Sequence, residues 1–306
     1  MDTPVIVLAF NRPELTARLI ECLSSVRPAR VLVVCDGPRE GSAGEAARVS
    51  AVRDLFQNLP WSCEVVCNYS DTNLGCARRV SSGLTWAFEQ VEEAIILEDD
   101  CLPAVSFFQY AAEMLDRYRY DPRVGSISGT SPGYLPPPGS PSYRFSRYCF
   151  IWGWATWRRA WRHYDFGMAP VSNGELTGIL KRTFPNWRAR WYWQWLLRKV
   201  HRGRINTWDY QWLLTCWREQ LLSVVPSVNL VKNVGFGEDS SRTQFDPYGL
   251  GAPGELSFPL RHPERVELDS NADTLVENAI FSRNLPGRAR WAARALRARL
   301  GARDFS

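Results

Sequence analysis

Short apolar runs alternate with amphipathic stretches over the first hundred residues. The runs are almost continuously apolar, as in parallel strands buried on both faces, and they cover 4–10, 30–35, 63–67 and 94–97. Between them, apolar residues recur at helical spacing over 14–26, 45–58 and from the Asn-Leu-Gly segment at 73–75 to about 91. This alternation predicts an α/β fold in which helices flank a mostly parallel, Rossmann-like sheet.

The pattern is less regular beyond residue 103. It predicts a helix over 104–119, a strand over 124–128 and short strands within 221–234. The stretch 130–142 is rich in proline, glycine and serine and predicts a long loop, which in a domain is often functional. The sequence contains neither a GxGxxG nor a GxxxxGK[ST] phosphate loop.

Tryptophans are concentrated in one region. Eleven of the 14 lie between 152 and 217, and two sets recur at helical spacing: Trp154, Trp157 and Trp161, and Trp187, Trp191 and Trp195. Apolar residues at this spacing usually mark a buried helix face, so we expect both stripes to be core between helices. The alternative is a wall for stacking sugar rings, or an aromatic belt that touches lipid.

Composition and charge further limit the class of protein. The net charge of +5, with 45% hydrophobic and 23% charged residues, is ordinary for a soluble globular protein and does not require nucleic acid. The eight cysteines form no CxxC pair, so we expect buried free thiols in a reducing compartment and no zinc site. The sequence shows no signal peptide and no membrane-spanning stretch, which favours the cytoplasm.

The stretch 283–303 carries seven arginines, and Arg290, Arg294 and Arg297 share one face of a predicted helix. A solvated helix is the favoured interpretation. The alternative is a weak peripheral contact with the inner face of the membrane, where each arginine near anionic lipid contributes about 1 kcal/mol.

Three consecutive carboxylates, Glu98, Asp99 and Asp100, directly follow the predicted strand 94–97. Open α/β sheets bind ligands at the carboxyl edge of their strands. Like charges packed there repel one another unless a cation or a donor-rich group joins them. Mg²⁺ or Mn²⁺ prefers such oxygen ligands and would carry the phosphates of a nucleotide.

Five short motifs follow one another along the chain: FNRP at 10–13, VCDG at 34–37, NLGCARR at 73–79, LEDD at 97–100 and WDYQW at 208–212. In this order they resemble the motifs of glycosyltransferases of the GT-A fold, over roughly residues 3–245 of this chain. The resemblance is closest to inverting enzymes, including bacterial family 2 glycosyltransferases and the N-acetylglucosaminyltransferase I group.

The resemblance implies roles for five carboxylates. LEDD resembles the metal-binding motif usually written DxD, so Asp100 is expected to bind the metal directly. Asp99 would contact the ribose or a metal-bound water, and Glu98 would orient the other two or hold the sugar. Asp36 would contact a uracil ring. Asp209 would be the catalytic base, although a helix N-cap is its simpler structural role.

Phe10 and Asn11 belong to the expected nucleotide loop. Arg12, Arg78 and Arg79 have guanidinium groups that suit a diphosphate, while surface solvation is the alternative for each of them.

Further candidates lie on the acceptor side and near the end of the domain. Trp152, Trp154 and Trp208 are candidate acceptor contacts, and Glu238 and Asp239 are rival bases. Related sequences often have a Thr-His pair where this chain reads Ser-Arg-Thr at 241–243. Instead of a histidine metal ligand, we expect Arg242 to face the diphosphate as a fixed positive charge.

These expectations define a domain over 1–245, with a nucleotide-binding half (1–103) and an acceptor-binding half (104–245), and an extension over 246–306 that carries the basic helix. The expected activity is inverting, metal-dependent transfer of a sugar from a nucleotide-sugar donor. UDP is favoured because of Asp36. The acceptor would be a glycan, a lipid-linked saccharide or a small aglycone.

Two other classes of function stay open. Sugar nucleotidyltransferases use a similar sheet, but they usually begin with a glycine-rich loop and a lysine, whereas the loop 10–13 contains no glycine. A non-catalytic glycan-binding protein would use the tryptophan-rich region, and the presence of both Asp100 and Asp209 argues against it.

Overall fold

A computed structural model of the chain describes residues 1–132, 136–236, 250 and 252–278. Within these residues the strands are β1 (Val5–Ala9), β2 (Arg30–Cys35), β3 (Glu64–Tyr69), β4 (Glu93–Glu98), β5 (Cys101–Pro103), β6 (Val124–Ser128), β7 (Tyr143–Ser146), β8 (Trp154–Trp157), β9 (Leu222–Pro226) and β10 (Val231–Asn233). The helices are α1 (Pro13–Val26), α2 (Glu45–Leu55), α3 (Gly75–Gln90), α4 (Val105–Tyr118), α5 (Arg158–Trp161), α6 (Ala169–Ser172), α7 (Leu176–Thr183), α8 (Trp187–His201), α9 (Asp209–Arg218) and α10 (Ser270–Val276).

The fold is α/β, with a central eight-stranded sheet in the order β3-β2-β1-β4-β8-β6-β9-β7. Strands β3, β2, β1 and β4 are parallel, and β6 is parallel to β9, while β8 and β7 run antiparallel to their neighbours. A separate pair joins β5 to β10. The order confirms the predicted sheet and brings the carboxyl ends of β1 and β4 side by side.

Both faces of the sheet are covered by helices, which explains the continuously apolar strands. Val5 and Val7 pack with α1, α2 and α4, whereas Ile6 and Leu8 pack with α3 and α9. The sheet and α3 approach closely at Gly83, where an added Cβ would lie 2.2 Å from Cγ1 of Val34.

The first tryptophan stripe is not helical, which corrects the prediction for 154–161. Residues 154–157 form β8, between β4 and β6, and all four are buried. The helix α5 begins only at Arg158. Trp154 and Trp157 fill the core as expected, but on opposite faces of a central strand. The tryptophan spacing predicted a helix because a strand buried on both faces lacks the alternation of apolar and polar residues that identifies a half-exposed strand.

The second stripe is helical but exposed, which corrects the expectation that it forms core. Trp187, Trp191 and Trp195 are 64%, 51% and 44% exposed on α8. The inner side of α8 packs through Trp193 and Leu197 against α7 and α9.

The end of the described chain is held against the sheet. Asp273 on α10 is completely buried and accepts hydrogen bonds from Ser146 Oγ (2.6 Å) and Arg144 Nη1 (2.9 Å). Nε of Arg147 donates to the other carboxylate oxygen at 3.1 Å. The arginine-rich stretch 283–303 lies outside the described residues.

All eight cysteines lie in the described part of the chain and are free thiols. Cys35, Cys101 and Cys216 are buried, whereas Cys67 is exposed and the other four are partly exposed, which corrects the expectation that the thiols are buried. Among the described helices, none combines the length and apolar character that crossing a bilayer requires.

Candidate active site

The acidic turn, residues 98–100, links β4 to β5 at the carboxyl edge of the sheet. The backbone N–H of Asp99 donates to the carbonyl of Leu8 at 2.9 Å, which extends the ladder between β1 and β4. On the other side, Val234 N–H donates to the carbonyl of Asp100 at 2.8 Å, just beyond β10. The turn is therefore fixed by the main sheet and by the β5–β10 pair.

Asp99 is 7% exposed and lies beneath the loop that follows β1. Its Oδ2 accepts from the backbone N–H of Phe10 at 3.2 Å, and its Oδ1 lies 3.7 Å from Nη1 of Arg12. Burial, followed by the charge of Asp100, raises the pKa of Asp99 to about 7. A further positive charge at this edge would stabilise the ionised carboxylate.

Asp100 is held at both oxygens. Nη1 of Arg12 donates to Oδ2 at 2.8 Å, and Nδ2 of Asn233 donates to Oδ1 at 3.3 Å. Gly235 closes over the carboxylate, since an added Cβ would lie 2.0 Å from Oδ2. The amide of Gly235 donates to Oδ1 of Asn233 at 2.8 Å, which holds this backbone against the turn.

Glu98, the last residue of β4, is partly buried. Successive side chains of a strand point to opposite faces, so Glu98 is directed toward the side of the sheet covered by α3, away from Asp99. The three carboxylates thus do not form one cluster.

Within the described residues, no group of three or more histidine, cysteine, aspartate or glutamate side chains could hold a metal ion. The residues that would hold one are Asp100 and Asp99. Mg²⁺ typically takes one or two protein carboxylates and completes its shell with substrate phosphates and water. Two adjacent carboxylates, one buried and one with a side chain 13% exposed, supply the oxygen ligands that such a cation takes.

The loop after β1 has partners on its other side as well. Nδ2 of Asn11 donates to Oε1 of Glu45 at 2.8 Å, and the Arg39 guanidinium carbon lies 5.7 Å from the Phe10 ring centroid. Arg39 donates to the buried Glu45 from its backbone N–H at 2.7 Å and from its guanidinium, which lowers the pKa of Glu45 to about 2. Sequence reasoning missed this pair, because Glu45 has the pattern of an ordinary first-turn acid.

Asp36 is buried at the end of β2 and accepts three backbone hydrogen bonds. They come from Gly37 (2.9 Å), Leu74 (2.9 Å) and Gly75 (3.0 Å). Gly37 allows this approach, since an added Cβ would lie 2.5 Å from the backbone of Thr72. Asp36 thereby fixes the start of α3 to the sheet edge, and its contact with a uracil ring stays a prediction.

Arg79 does not have the role expected for it. It is buried, with Nε donating to the Cys35 carbonyl at 3.2 Å and Nη2 to Oδ1 of Asn68 at 2.7 Å. Burial lowers its pKa. Its guanidinium ties α3 to β2 and β3 and is not free to grip a diphosphate. Arg78 is exposed, 5.9 Å from the ring centroid of Phe166, and its donor role stays a prediction.

Asp209 is the first residue of α9, and the N-cap position is occupied by Trp208. Oγ1 of Thr207 donates to its Oδ1. The segment before α9 reaches the start of α3, since Ala77 N–H donates to Oδ1 of Asn206 at 3.3 Å. Burial, followed by the charge of Asp209, raises the pKa of Tyr164. Because Trp208 is the N-cap residue of α9, the simpler role of Asp209 as a helix cap is wrong. Its catalytic role stays a prediction.

The candidate acceptor residues fall into two groups. Trp154 and Trp208 are fully buried, with their rings stacked at 5.6 Å, which corrects the expectation that they contact an acceptor. Trp152 is half-buried, and its ring meets that of Phe236 edge to face at 5.3 Å, one residue beyond Gly235. Trp152 thus lies beside the acidic turn. The other candidates, Glu238, Asp239 and Arg242, lie outside the described residues.

Comparison with known proteins gives matches to solved structures alone. No family model matches the chain, and no curated protein does. The mannosyltransferase PcManGT of Pyrobaculum calidifontis, in complex with GDP-Man and Mn²⁺, is 15% identical, with a TM-score of 0.38 over 70% of this chain and 69% of that chain.

Two other solved structures show the same level of likeness. A UDP-glucose pyrophosphorylase complexed with UDP-glucose is 7% identical, with a TM-score of 0.37 over 74% of this chain and 90% of that chain. A mannose-1-phosphate geranyltransferase of Thermus thermophilus is 13% identical, with a TM-score of 0.37 over 77% of each chain. None of these values assigns the chain to a family.

Proposed function

We propose that this protein is an inverting glycosyltransferase of the GT-A type, which transfers a sugar from a nucleoside-diphosphate donor. The observation that carries the proposal is the acidic turn, where Asp99 and Asp100 lie beneath the loop after β1 and share Arg12. The order of the five sequence motifs supports it. UDP stays the favoured nucleotide, through a contact of the uracil ring with Asp36, whose carboxylate three backbone amides fix at the start of α3.

In this proposal Asp100 and Asp99 hold a divalent cation, Mn²⁺ or Mg²⁺. The bound cation would offset the negative charge that a leaving diphosphate gathers. Arg12 neutralises the two carboxylates before a ligand arrives, and its guanidinium then has the donors for a phosphate oxygen. Asn11, Glu45 and Arg39 hold the loop so that Arg12 keeps its place.

Asp209 is the proposed base. A carboxylate within hydrogen-bond reach of the acceptor hydroxyl would take its proton as the oxygen attacks the anomeric carbon. Trp152, beside the turn, is the proposed stacking surface for the sugar ring.

Nucleotide binding tests the site directly. We expect UDP or GDP to raise the melting temperature with Mn²⁺ present and much less without it, because a ligand that binds only the folded state stabilises it. Asp100→Ala should abolish the metal-dependent shift. Asp116→Ala is the matched control, since Asp116 is 76% exposed on α4, and it should leave the shift unchanged. An unchanged shift in Asp100→Ala would refute the site.

Product analysis tests the reaction class. Incubated with nucleotide sugars and Mn²⁺, a glycosyltransferase slowly releases a nucleoside diphosphate and free sugar in the absence of an acceptor. A nucleotidyltransferase supplied with pyrophosphate instead yields a nucleoside triphosphate and a sugar 1-phosphate. The second result would overturn the proposal in favour of nucleotidyl transfer, and nucleotide binding without turnover of any donor would favour a binding protein.

A further inference from the structure

The outward side of α8 exposes large aromatic rings. Trp187, Trp191 and Trp195 follow one another at four-residue spacing and are 64%, 51% and 44% exposed. The same helix buries Trp193 and Leu197 on its inner side, so packing against the protein is satisfied without the outer rings. A row of exposed tryptophans indicates an interaction surface, because burying one such ring contributes strongly to packing or binding.

Positive charge surrounds these rings. Arg198 on α8 and Arg202 at its C-cap are exposed and follow the rings along the chain, and Nζ of Lys199 lies 3.7 Å from the ring centroid of Trp195. Between 181 and 204 the sequence has eight lysines and arginines and no aspartate or glutamate. The formal charge of these eight residues exceeds the net charge of +5 of the whole chain, so the rest of the chain has a net negative charge. Cationic character is thus concentrated around α8.

We infer that the α8 face, formed by Trp187, Trp191, Trp195, Arg198 and Arg202, docks on an anionic lipid bilayer. Tryptophan rings favour the headgroup level of a membrane, where one part of the indole is apolar and the N–H is hydrated. Basic residues on the same helix are attracted to the negative surface potential. Aromatic rings and cations together are what an interfacial helix requires.

Other occupants fit this face less well. A second copy of the chain would bring two cationic α8 faces together, and the seven arginines of 283–303 carry the same sign of charge. A neutral glycan would stack on the rings but would gain no charge–charge attraction to the basic side chains around them. Charge complementarity therefore selects the bilayer.

Docking would also position the candidate active site. Arg202 and Asp209 are seven residues apart, so the start of α9 lies within roughly 25 Å of the α8 face. A saccharide acceptor carried on lipid would then lie within reach. This consequence rests on the proposed function, whereas the docking does not, and vesicle binding without nucleotide tests the docking alone.

The test is co-sedimentation of the full chain with vesicles of phosphatidylcholine, alone or with about a third phosphatidylglycerol. We expect binding to the anionic vesicles at least tenfold stronger than to the neutral ones, and weaker in high salt. The triple variant Trp187→Ser, Trp191→Ser, Trp195→Ser and the double variant Arg198→Glu, Arg202→Glu should each lower the partition coefficient at least tenfold.

Matched controls separate the face from aromatic or charge content in general. Tyr120→Ser removes an 89% exposed ring two residues beyond α4, and Arg18→Glu with Arg265→Glu reverses two exposed charges elsewhere. Both should bind like the wild type. Circular dichroism should be the same for all variants, because the side chains are exposed. Brominated lipids should quench tryptophan fluorescence in the wild type more than in the triple variant.

Three results would overturn the inference. The first is equal binding of wild type, triple and double variants, which would assign any binding to another surface such as 283–303. The second is equal affinity for neutral and anionic vesicles. The third is sedimentation with an insoluble glycan, lost in the triple variant, without any binding to vesicles.

Discussion

At the scale of single residues, Asp99 and Asp100 of the acidic turn lie in different surroundings. Asp99 is buried and receives an amide N–H from Phe10, whereas Asp100 lies nearer the surface and receives the guanidinium of Arg12. Their proximity to Arg12 follows from the pairing of β1 with β4, in which Leu8 is opposite Glu98. The sequence could predict this meeting, because parallel strands end at one edge.

Other residues could not be placed from the sequence. Arg79 and Arg78 are neighbours in one motif, but the helix turns one side chain into the sheet and the other into solvent. Glu45 has no visible motif, and its role depends on Arg39 and Asn11, which meet it only in the folded chain. The roles of these residues depend on burial and on contacts between distant parts of the chain, which residue type alone does not show.

Asp209→Asn tests the proposed base. The amide keeps the shape of the side chain but cannot accept a proton, so we expect donor turnover to fall by about 10²–10⁴-fold. Nucleotide affinity, measured by calorimetry with Mn²⁺, should stay within about twofold, since binding is assigned to the loop after β1 and to the acidic turn. The control is Asp165→Asn, a nearby carboxylate paired with Arg218. Near-normal turnover in Asp209→Asn would exclude the base role.

Glu45→Gln tests, through the pH dependence of stability, how Glu45 supports the loop that follows β1. The folded-state pKa of Glu45, about 2, is below the usual value near 4.3, so its ionised form stabilises the fold above that value. This contribution is lost as pH falls through about 2. Because Arg39 is 57% exposed, we discount the shift and expect a loss of about 2 kcal/mol at pH 7.

Urea unfolding at several pH values measures this effect. The stability difference between wild type and Glu45→Gln should narrow as pH falls below about 4. Glu64→Gln is the control, because Glu64 is 61% exposed in its pair with Arg30 and should change stability by less than about 1 kcal/mol. A difference that stays constant down to low pH would show that the charge of Glu45 is not its source.

At the scale of elements, burial on both faces made some strands predictable and hid another. Strand β1 and the interiors of β2 and β4 are apolar, and charged or turn-forming residues mark where these strands begin and end. The segment 154–157 is buried in the same way, but its tryptophans coincide with helical spacing. Strands β5 and β10 have three residues each and exist because they pair with each other. A segment of three residues is too short to show a hydrophobic periodicity in the sequence.

Gly83→Ala tests how closely α3 must approach the sheet. The new Cβ would lie 2.2 Å from Cγ1 of Val34, so the helix or the strand must shift, and we expect a loss of about 1–3 kcal/mol. Gly178→Ala on α7 is the matched control, since an added Cβ there meets nothing within 4 Å. It should stabilise the protein by up to about 1 kcal/mol through helix propensity. Thermal unfolding of both variants measures the contrast, and equal effects would contradict the packing argument.

At the scale of the whole molecule, the sheet is continuous across the two predicted halves. Strand β8, from beyond residue 103, pairs with β4, so the acidic turn is supported by both parts of the chain. The segment that precedes α10 also reaches the sheet, through a bridge between Phe145 and Leu268. The outermost strand, β7, thereby connects the C-terminal described residues to the core.

Asp273→Asn tests this connection. The variant leaves Arg144 and Arg147, both 8% exposed, without the carboxylate that lies 2.9 and 3.1 Å from them. Because a buried charge that loses its partner is strongly destabilising, we expect a loss of about 3–5 kcal/mol. Hydrogen exchange should increase first in α10 and β7 if their contact opens before the rest of the sheet unfolds.

The matched control for Asp273→Asn is Asp116→Asn, because Asp116 is 76% exposed in its pair with Arg119. Removing that surface pair should change the free energy of unfolding by less than about 1 kcal/mol. A similarly small loss in Asp273→Asn, with unchanged exchange in α10, would mean that apolar contacts alone hold this segment. Val276, completely buried against the α7–α9 cluster, would then be its main attachment.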